Sequence, residues 1–211
     1  MKGVDLGAWV ALLVAVPFAI VVATAFLKFA VVLAILRRAF GGSAIPPASV
    51  AAALALLFAL FVTAPVASRA WEAAAPSLQK GDALSLATAA AKAAEPVRDW
   101  LAKHAPAREK QSFLELQRQL RPQGERAAVG ENDLVVLAPA FATAELKSAF
   151  EIGFLLFLPF LVIELLVSTV LTSLGMTSVA PELVSLPFKL LLFVLADGWH
   201  LLFRGLVLGY T

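Results

Sequence analysis

Apolar positions along this chain gather into four long, nearly unbroken stretches: about Leu6 to Leu36, Ser49 to Val66, Ile152 to Leu174 and Leu183 to Leu208. Each is long enough to cross the hydrocarbon core of a bilayer, about 30 Å, which takes a helix of about 20 residues. Between the second and third lies a polar region, Glu72 to Ala138, with nine basic and nine acidic residues. The pattern predicts an all-α chain in three parts. A first apolar helical hairpin covers 1–71, a small soluble helical insert covers 72–138, and a second apolar hairpin covers 139–211.

Within the insert, Val97, Trp100, Leu101 and His104 follow an i, i+3, i+4, i+7 pattern, with Pro96 suited to a helix start. Phe113, Leu116 and Leu120 repeat the spacing before Arg121, Pro122, Gln123 and Gly124 end it. Short amphipathic helices bury little by themselves, so these are expected to pack on each other, on the hairpins or on a neighbouring subunit. His104 falls on the apolar side of its helix, where a packed histidine is expected rather than a ligand.

Composition agrees with a membrane chain: 61% of the 211 residues are hydrophobic, 15% are charged and mean hydropathy is +0.87. The net charge of +2 comes from scattered Lys and Arg, not from a basic block, which excludes nucleic acid as the expected partner. Cysteine is absent, so disulfides, thiol catalysis and cysteine metal sites are excluded, and two distant histidines, His104 and His200, give no zinc site. No cofactor or metal is expected.

Lys2 ahead of an apolar run ending in Ala23, Thr24 and Ala25 imitates a cleavable secretion signal. The apolar character continues to Leu36, however, so cutting there would discard half of one element, and the first stretch is expected to be retained. Arg37 and Arg38 stand in the short connection to Pro47, which the positive-inside rule places in the cytoplasm. Both termini and the insert are then expected outside, since a loop of more than about 60 residues is largely exempt from that rule.

Charges interrupt the apolar stretches at Lys28, Glu164, Lys189 and Asp197. Four such charges facing lipid would cost about 10 to 14 kcal/mol in all, so they are expected to face protein or water. Pro17, Pro159 and Pro187 argue the same way, because the carbonyl a proline frees needs a partner other than lipid. Two function classes use such charges. A stand-alone ion or proton-coupled transporter would line up Glu164, Lys189 and Asp197 as a relay, whereas an assembly protein would use them as ion pairs that set register. Spacing does not choose between them: Asp197 and Arg204 share a helix face, while Glu151 and Glu164 point to different sides. Asp197 and His200 in "DGWH" lie close on the expected helix, but no nucleophile motif accompanies them and catalysis is not expected.

The loop "LTSLGMTSVAPE", Leu171 to Glu182, joins two apolar stretches yet carries Met176 among small side chains. Read locally, Gly175 ends a helix, Met176 or Val179 supplies the apolar contact that accompanies such an end, and Pro181 starts the next helix.

"ATAFLKFAVVLAILRRAFGGSAIPP" (Ala23 to Pro47), "PAFATAELKSAFEIGFLLFLPFLVIELLVSTVLTSLGM" (Pro139 to Met176) and "SLPFKLLLFVLADGW" (Ser185 to Trp199) closely resemble the FliP/SctR proteins of the bacterial type III secretion export apparatus. The resemblance covers both hairpins and leaves out the insert from about Glu72 to Asp133. Flagellar members commonly carry a cleavable signal, so a chain that starts directly at the first block resembles the injectisome branch, SctR.

The resemblance implies a role in assembly, not an enzyme. Five copies would join SctS/FliQ-type and SctT/FliR-type subunits in a helical oligomeric cone, with an SctU/FlhB-type subunit beside it, as the portal through which unfolded substrates leave the cytoplasm. The location implied is the bacterial inner membrane with the insert on the periplasmic side. The hairpins, although they look like spans, would end up largely within the cone. The family's buried acid and lysine map onto Glu164 and Lys189, with Lys28, Glu151 and Asp197 as further ion-pair candidates. In the family the loop after the third stretch is usually rich in methionine and forms a gasket around the pore. Here Gly175 and Met176 match that pattern, while Thr177 and Ser178 stand where further methionines are usual, which predicts a thinner gasket.

Overall fold

The computed structural model describes residues 23–41, 45–78 and 83–211. The first apolar stretch up to Val22, with Lys2 and Pro17, lies outside them. Helix makes up 84% of the described residues and no strand occurs among them, as the hydropathy pattern predicts. The order is α1 (Phe26–Ala39), α2 (Ala48–Leu78), α3 (Ala83–His104), α4 (Ala107–Leu120), a 3-10 helix (Gln123–Ala128), α5 (Leu134–Ser173), α6 (Pro181–Leu195) and α7 (Gly198–Leu208).

The two longest helices outrun the apolar stretches that predict them. α2 continues past Val66 to Leu78 with Pro65 and Pro76 inside it. α5 begins 18 residues before Ile152. A helix propagates by adding one backbone hydrogen bond per residue and does not stop because the side chains turn polar, so the insert boundaries at 71/72 and 138/139 both fall inside helices. For the same reason Pro96 lies inside α3 and does not start it. The start of α5 is built by Asp133. Its carbonyl accepts the Val136 and Leu137 N–H groups at 2.9 and 2.8 Å, and its carboxylate accepts the Gly130 N–H at 2.8 Å.

Hydroxyls in the apolar helices are satisfied without leaving the helix. Thr169, Thr172 and Ser173 donate to the carbonyls of Leu165, Ser168 and Thr169, each at 2.8 Å, and Thr63 donates to Ala59 at 2.7 Å. This i−4 bond lets a polar side chain sit where no water reaches it.

The fourth apolar stretch is not one helix. α6 and α7 meet at 61°. Asp197, at the break, is left-handed (φ 50°, ψ 45°), and the N–H groups of Ala196 and Asp197 turn back to Leu192 and Val194, both at 3.0 Å. Aspartate is among the few side chains that tolerate this conformation. Gly198 follows because the ring of Phe193 fills the space a Cβ would take. Asp197 and His200 are therefore not neighbours within one helix, as "DGWH" predicts; Asp197 is the joint between two.

The chain divides into two compact units, one of residues up to Leu27 with Ala59–Leu146, the other of Lys28–Phe58 with Lys147–Thr211. In the first, Trp100 and Leu101 of α3, Val129, and Val136, Leu137 and Phe141 of α5 are buried. Each such large side chain contributes about 1.5 to 3 kcal/mol where burial removes it from water. The stripe of α4 behaves differently: α4 buries nothing, and Leu116 and Leu120 stay 48% and 80% exposed. In the second unit α1 supplies the core with Phe29, Val32, Leu33 and Leu36, at one-turn spacing and all at most 1% exposed.

Among the described residues α2 and α5 are long and apolar enough to cross a membrane, and the bent α6–α7 pair makes a third if it counts as one span. The mean hydropathy of their most apolar windows is 2.4 and 2.5, yet only 28% and 11% of those windows is buried. The chain presents these surfaces outward, to lipid or to other subunits.

Candidate functional site

In the second unit α5 and α6 bring Glu164 and Lys189 together. Lys189 is fully buried and donates from Nζ to Oε2 of Glu164 at 2.5 Å; the acid's side chain keeps 32% of its surface. A Cβ placed on Gly41, two residues past the end of α1, would lie 3.9 Å from the same ammonium. The negative end of the α1 dipole thus adds to the carboxylate in holding the charge. This arrangement neutralises a lysine; it does not extend into a relay, because Asp197 is exposed at the α6–α7 joint and bonds to neither member.

The other ion-pair candidates are placed differently. Lys28 is 6% exposed, with its ammonium 4.2 Å from the centre of the Tyr210 ring, a cation–π contact. Glu151 is exposed on α5. One buried acid has no forecast in the charge pattern: Glu145, 4% exposed. It follows Leu137 and Phe141 at steps of four on the buried face of α5, and that spacing is the signal by which it is found.

Aromatic side chains form a second feature that their sequence positions do not predict. Phe40 meets Phe193 edge-on at 5.5 Å, Phe193 meets Trp199 at 5.1 Å, Trp199 stacks with Phe203 at 5.8 Å and Phe203 with Phe58 at 3.8 Å. Phe58 continues to Phe29 at 5.9 Å, and Phe29 to Tyr210 at 6.5 Å, where Lys28 ends the series. Pairs of this kind contribute about 0.5 to 1.5 kcal/mol each beyond the area they bury. Beside the series lies an apolar cavity of about 550 Å³, walled by Ile152, Leu156 and Pro159 of α5 and by Leu192, Ala196 and Gly205 across the bend.

The loop between α5 and α6 ends α5 with a left-handed glycine. Gly175 has φ +75°, its N–H reaches the Thr172 carbonyl at 3.0 Å, and the Met176 N–H reaches the Leu171 carbonyl at 2.9 Å, the paired bonds of a Schellman end. Pro181 then opens α6. The local reading of Gly175 and Pro181 is correct. Gly175, Met176, Thr177 and Ser178 are all exposed; Met176 is 44% and the preceding Leu174 68% exposed. Among the described residues no three His, Cys, Asp or Glu side chains are grouped to hold a metal.

Residues 9–206 match the FliP family. The chain belongs to that family. The matched region takes in most of both hairpins and runs through the insert and the loop, so the likeness extends across the insert that motif comparison leaves out. Among FliP-family relatives, the chain is 42% identical over the full length of both proteins to the hypersensitivity response secretion protein HrcR of Ralstonia nicotianae. It is 46% identical to the pathogenicity-related ORF2 of Xanthomonas campestris pv. glycines, over 92% of this chain and 90% of that one. It is 41% identical to the Yop proteins translocation protein R of Yersinia pestis, over 94% and 92%. These names agree with the SctR branch of the family.

Proposed function

We propose that this FliP-family chain is a core subunit of a type III secretion export gate. The names of its relatives support a place in a secretion apparatus. The finer reading is that five copies assemble in the inner membrane with SctS/FliQ-type, SctT/FliR-type and SctU/FlhB-type subunits into a portal for unfolded proteins. In that arrangement the insert, 72–138, faces the periplasm, and the role is structural rather than enzymatic.

The observation that carries this reading is the exposed apolar tip of the α5–α6 loop. Leu174 and Met176 project from a turn whose glycine has nothing within 4 Å of its Cβ direction. An apolar tip at the end of a span gains by meeting its equivalents around a central axis. Methionine suits that position because its unbranched thioether excludes water and ions yet yields to chains of varied sequence. With Thr177 and Ser178 beside it, each copy contributes a single methionine, so the gasket is thin and a segment of the SctT-type partner completes closure.

Native mass spectrometry of the chain co-expressed with its small membrane partners tests the assembly: a pentamer that takes up one larger and several smaller subunits is expected. Closed complexes carrying Met176→Ala are expected to conduct ions several-fold more than the parent in planar bilayers. An unchanged leak would remove Met176 from the seal. A stable monomer with pH-dependent flux abolished by Glu164→Gln would replace the whole reading with a stand-alone transporter.

A further inference from the structure

Two charges of the second unit, Glu151 of α5 and Arg204 of α7, stand exposed in apolar surface, and neither forms an ion pair or side-chain hydrogen bond among the described residues. We propose that they pair between copies of the chain, the Glu151 carboxylate of one with the Arg204 guanidinium of the next, and that this contact fixes the register of one copy against its neighbour. The inference rests on the reading of the chain as a subunit that repeats around a common axis, and it names a contact which that reading leaves open.

The surroundings of both charges are apolar. Phe150, Phe154 and Leu155 beside Glu151 are each more than half exposed, as are Leu201 and Leu208 beside Arg204. A single charge in such a face is costly against lipid or against a bare apolar partner, and least costly beside an opposite charge. A guanidinium also takes a carboxylate through two parallel bonds, which fixes orientation as well as neutralising charge. The other acids of this unit do not suit Arg204. Glu164 holds Lys189, Glu182 lies beside Gly41 near the α5–α6 loop, and Asp197 stands at the α6–α7 joint, seven residues away on the same segment. Lys147, one turn before Glu151, forms no ion pair with it, and lysine ahead of glutamate is the weaker order on a helix.

Height and direction agree with the pairing. Ile152, next to Glu151, walls the same cavity as Leu202, Gly205 and Leu206, which surround Arg204, so the two charges stand at one level of α5 and α7. Glu151 lies two residues from the buried Ala149 and Gly153, and Arg204 two residues from the buried Leu202 and Leu206. Two residues turn an α-helix by about 200°, so each charge points away from the core on its own helix. Rotation about an axis along the helices leaves heights unchanged and turns one side of a copy toward a different side of the next. An acid and a base on the outer sides of two helices, at one height, are therefore brought together by head-to-tail repetition and not within one chain.

The test uses two tagged forms of the chain, Glu151→Cys and Arg204→Cys, co-expressed with the SctS/FliQ-type and SctT/FliR-type partners and treated with a short bis-maleimide. The chain has no cysteine of its own, so each adduct reports one contact. A covalent dimer carrying both tags is expected, and none carrying one tag twice. Val162→Cys in place of Glu151→Cys is expected to give no adduct, since Val162 is exposed on the same face of α5 but about 16 Å further along it. Charge exchange gives a second readout. Glu151→Arg and Arg204→Glu are each expected to lower the pentamer fraction in native mass spectrometry about tenfold, and the double exchange to restore most of it. Pentamers that give no mixed adduct, or whose double exchange is no better than the single ones, would overturn the pair and leave the portal reading standing. Same-tag dimers, or equal adducts from Val162→Cys, would overturn the head-to-tail register. A parent chain that stays monomeric would remove both the pair and the portal reading.

Discussion

Lys189 has none of its surface exposed, while its carboxylate partner, Glu164, is a third exposed. The two halves of the pair are therefore unequal. Replacing Glu164 by leucine strands an ammonium in the interior, a change that costs about 3 to 5 kcal/mol in comparable buried pairs. Replacing Lys189 by methionine leaves a carboxylate that can still reach solvent, and it costs less. Thermal melting of the solubilised chain is expected to rank Glu164→Leu below Lys189→Met, with the double replacement recovering much of the loss. The opposite ranking would mean that the lysine is not the buried member. Both residues stand out in the sequence as charges in apolar runs, but that Lys189 is the interior member and Glu164 lies at the rim depends on how α5 and α6 cross.

Among the elements, α6 and α7 depart most from the hydropathy pattern. A continuous apolar stretch from Leu183 to Leu208 reads as one span, because hydropathy averages over the two or three residues that decide whether a helix continues. Here those residues are Asp197, in a left-handed conformation, and Gly198, pressed against the Phe193 ring. Gly198→Val should displace that ring and change the bend, whereas Gly205→Ala, where a Cβ meets nothing within 4 Å, should not. Spin labels at Leu191 and Leu208 read the difference: the distance between them is expected to shift in the first variant alone. A shift in both would show that the bend is set by helix packing in general and not by the Phe193 contact. α4 is the reverse case, since its apolar stripe is plain in the sequence while Leu120 stays 80% exposed among the described residues. Periodicity reports that a face wants burial but does not name the surface that buries it.

For the whole molecule the open question is sidedness, and the composition supplies the means to answer it. The chain has no cysteine, so every labelled thiol is an introduced one. Glu115→Cys, on α4 of the insert, is expected to react with a membrane-impermeant maleimide in intact spheroplasts, and Arg38→Cys only after permeabilisation. Labelling of both from outside would overturn the placement of the Arg37–Arg38 connection in the cytoplasm. Hydrophobic pattern alone determined an all-helical chain with apolar stretches long enough to cross a membrane, and three residue blocks carried the FliP-family resemblance, because these depend on which residue types follow one another. The joint at Asp197, the run of rings from Phe40 to Tyr210 and the unequal burial of Lys189 and Glu164 were decided only by tertiary structure. Each arises where residues distant in the chain, or a single backbone torsion, settle which side chains meet, and a linear pattern carries neither.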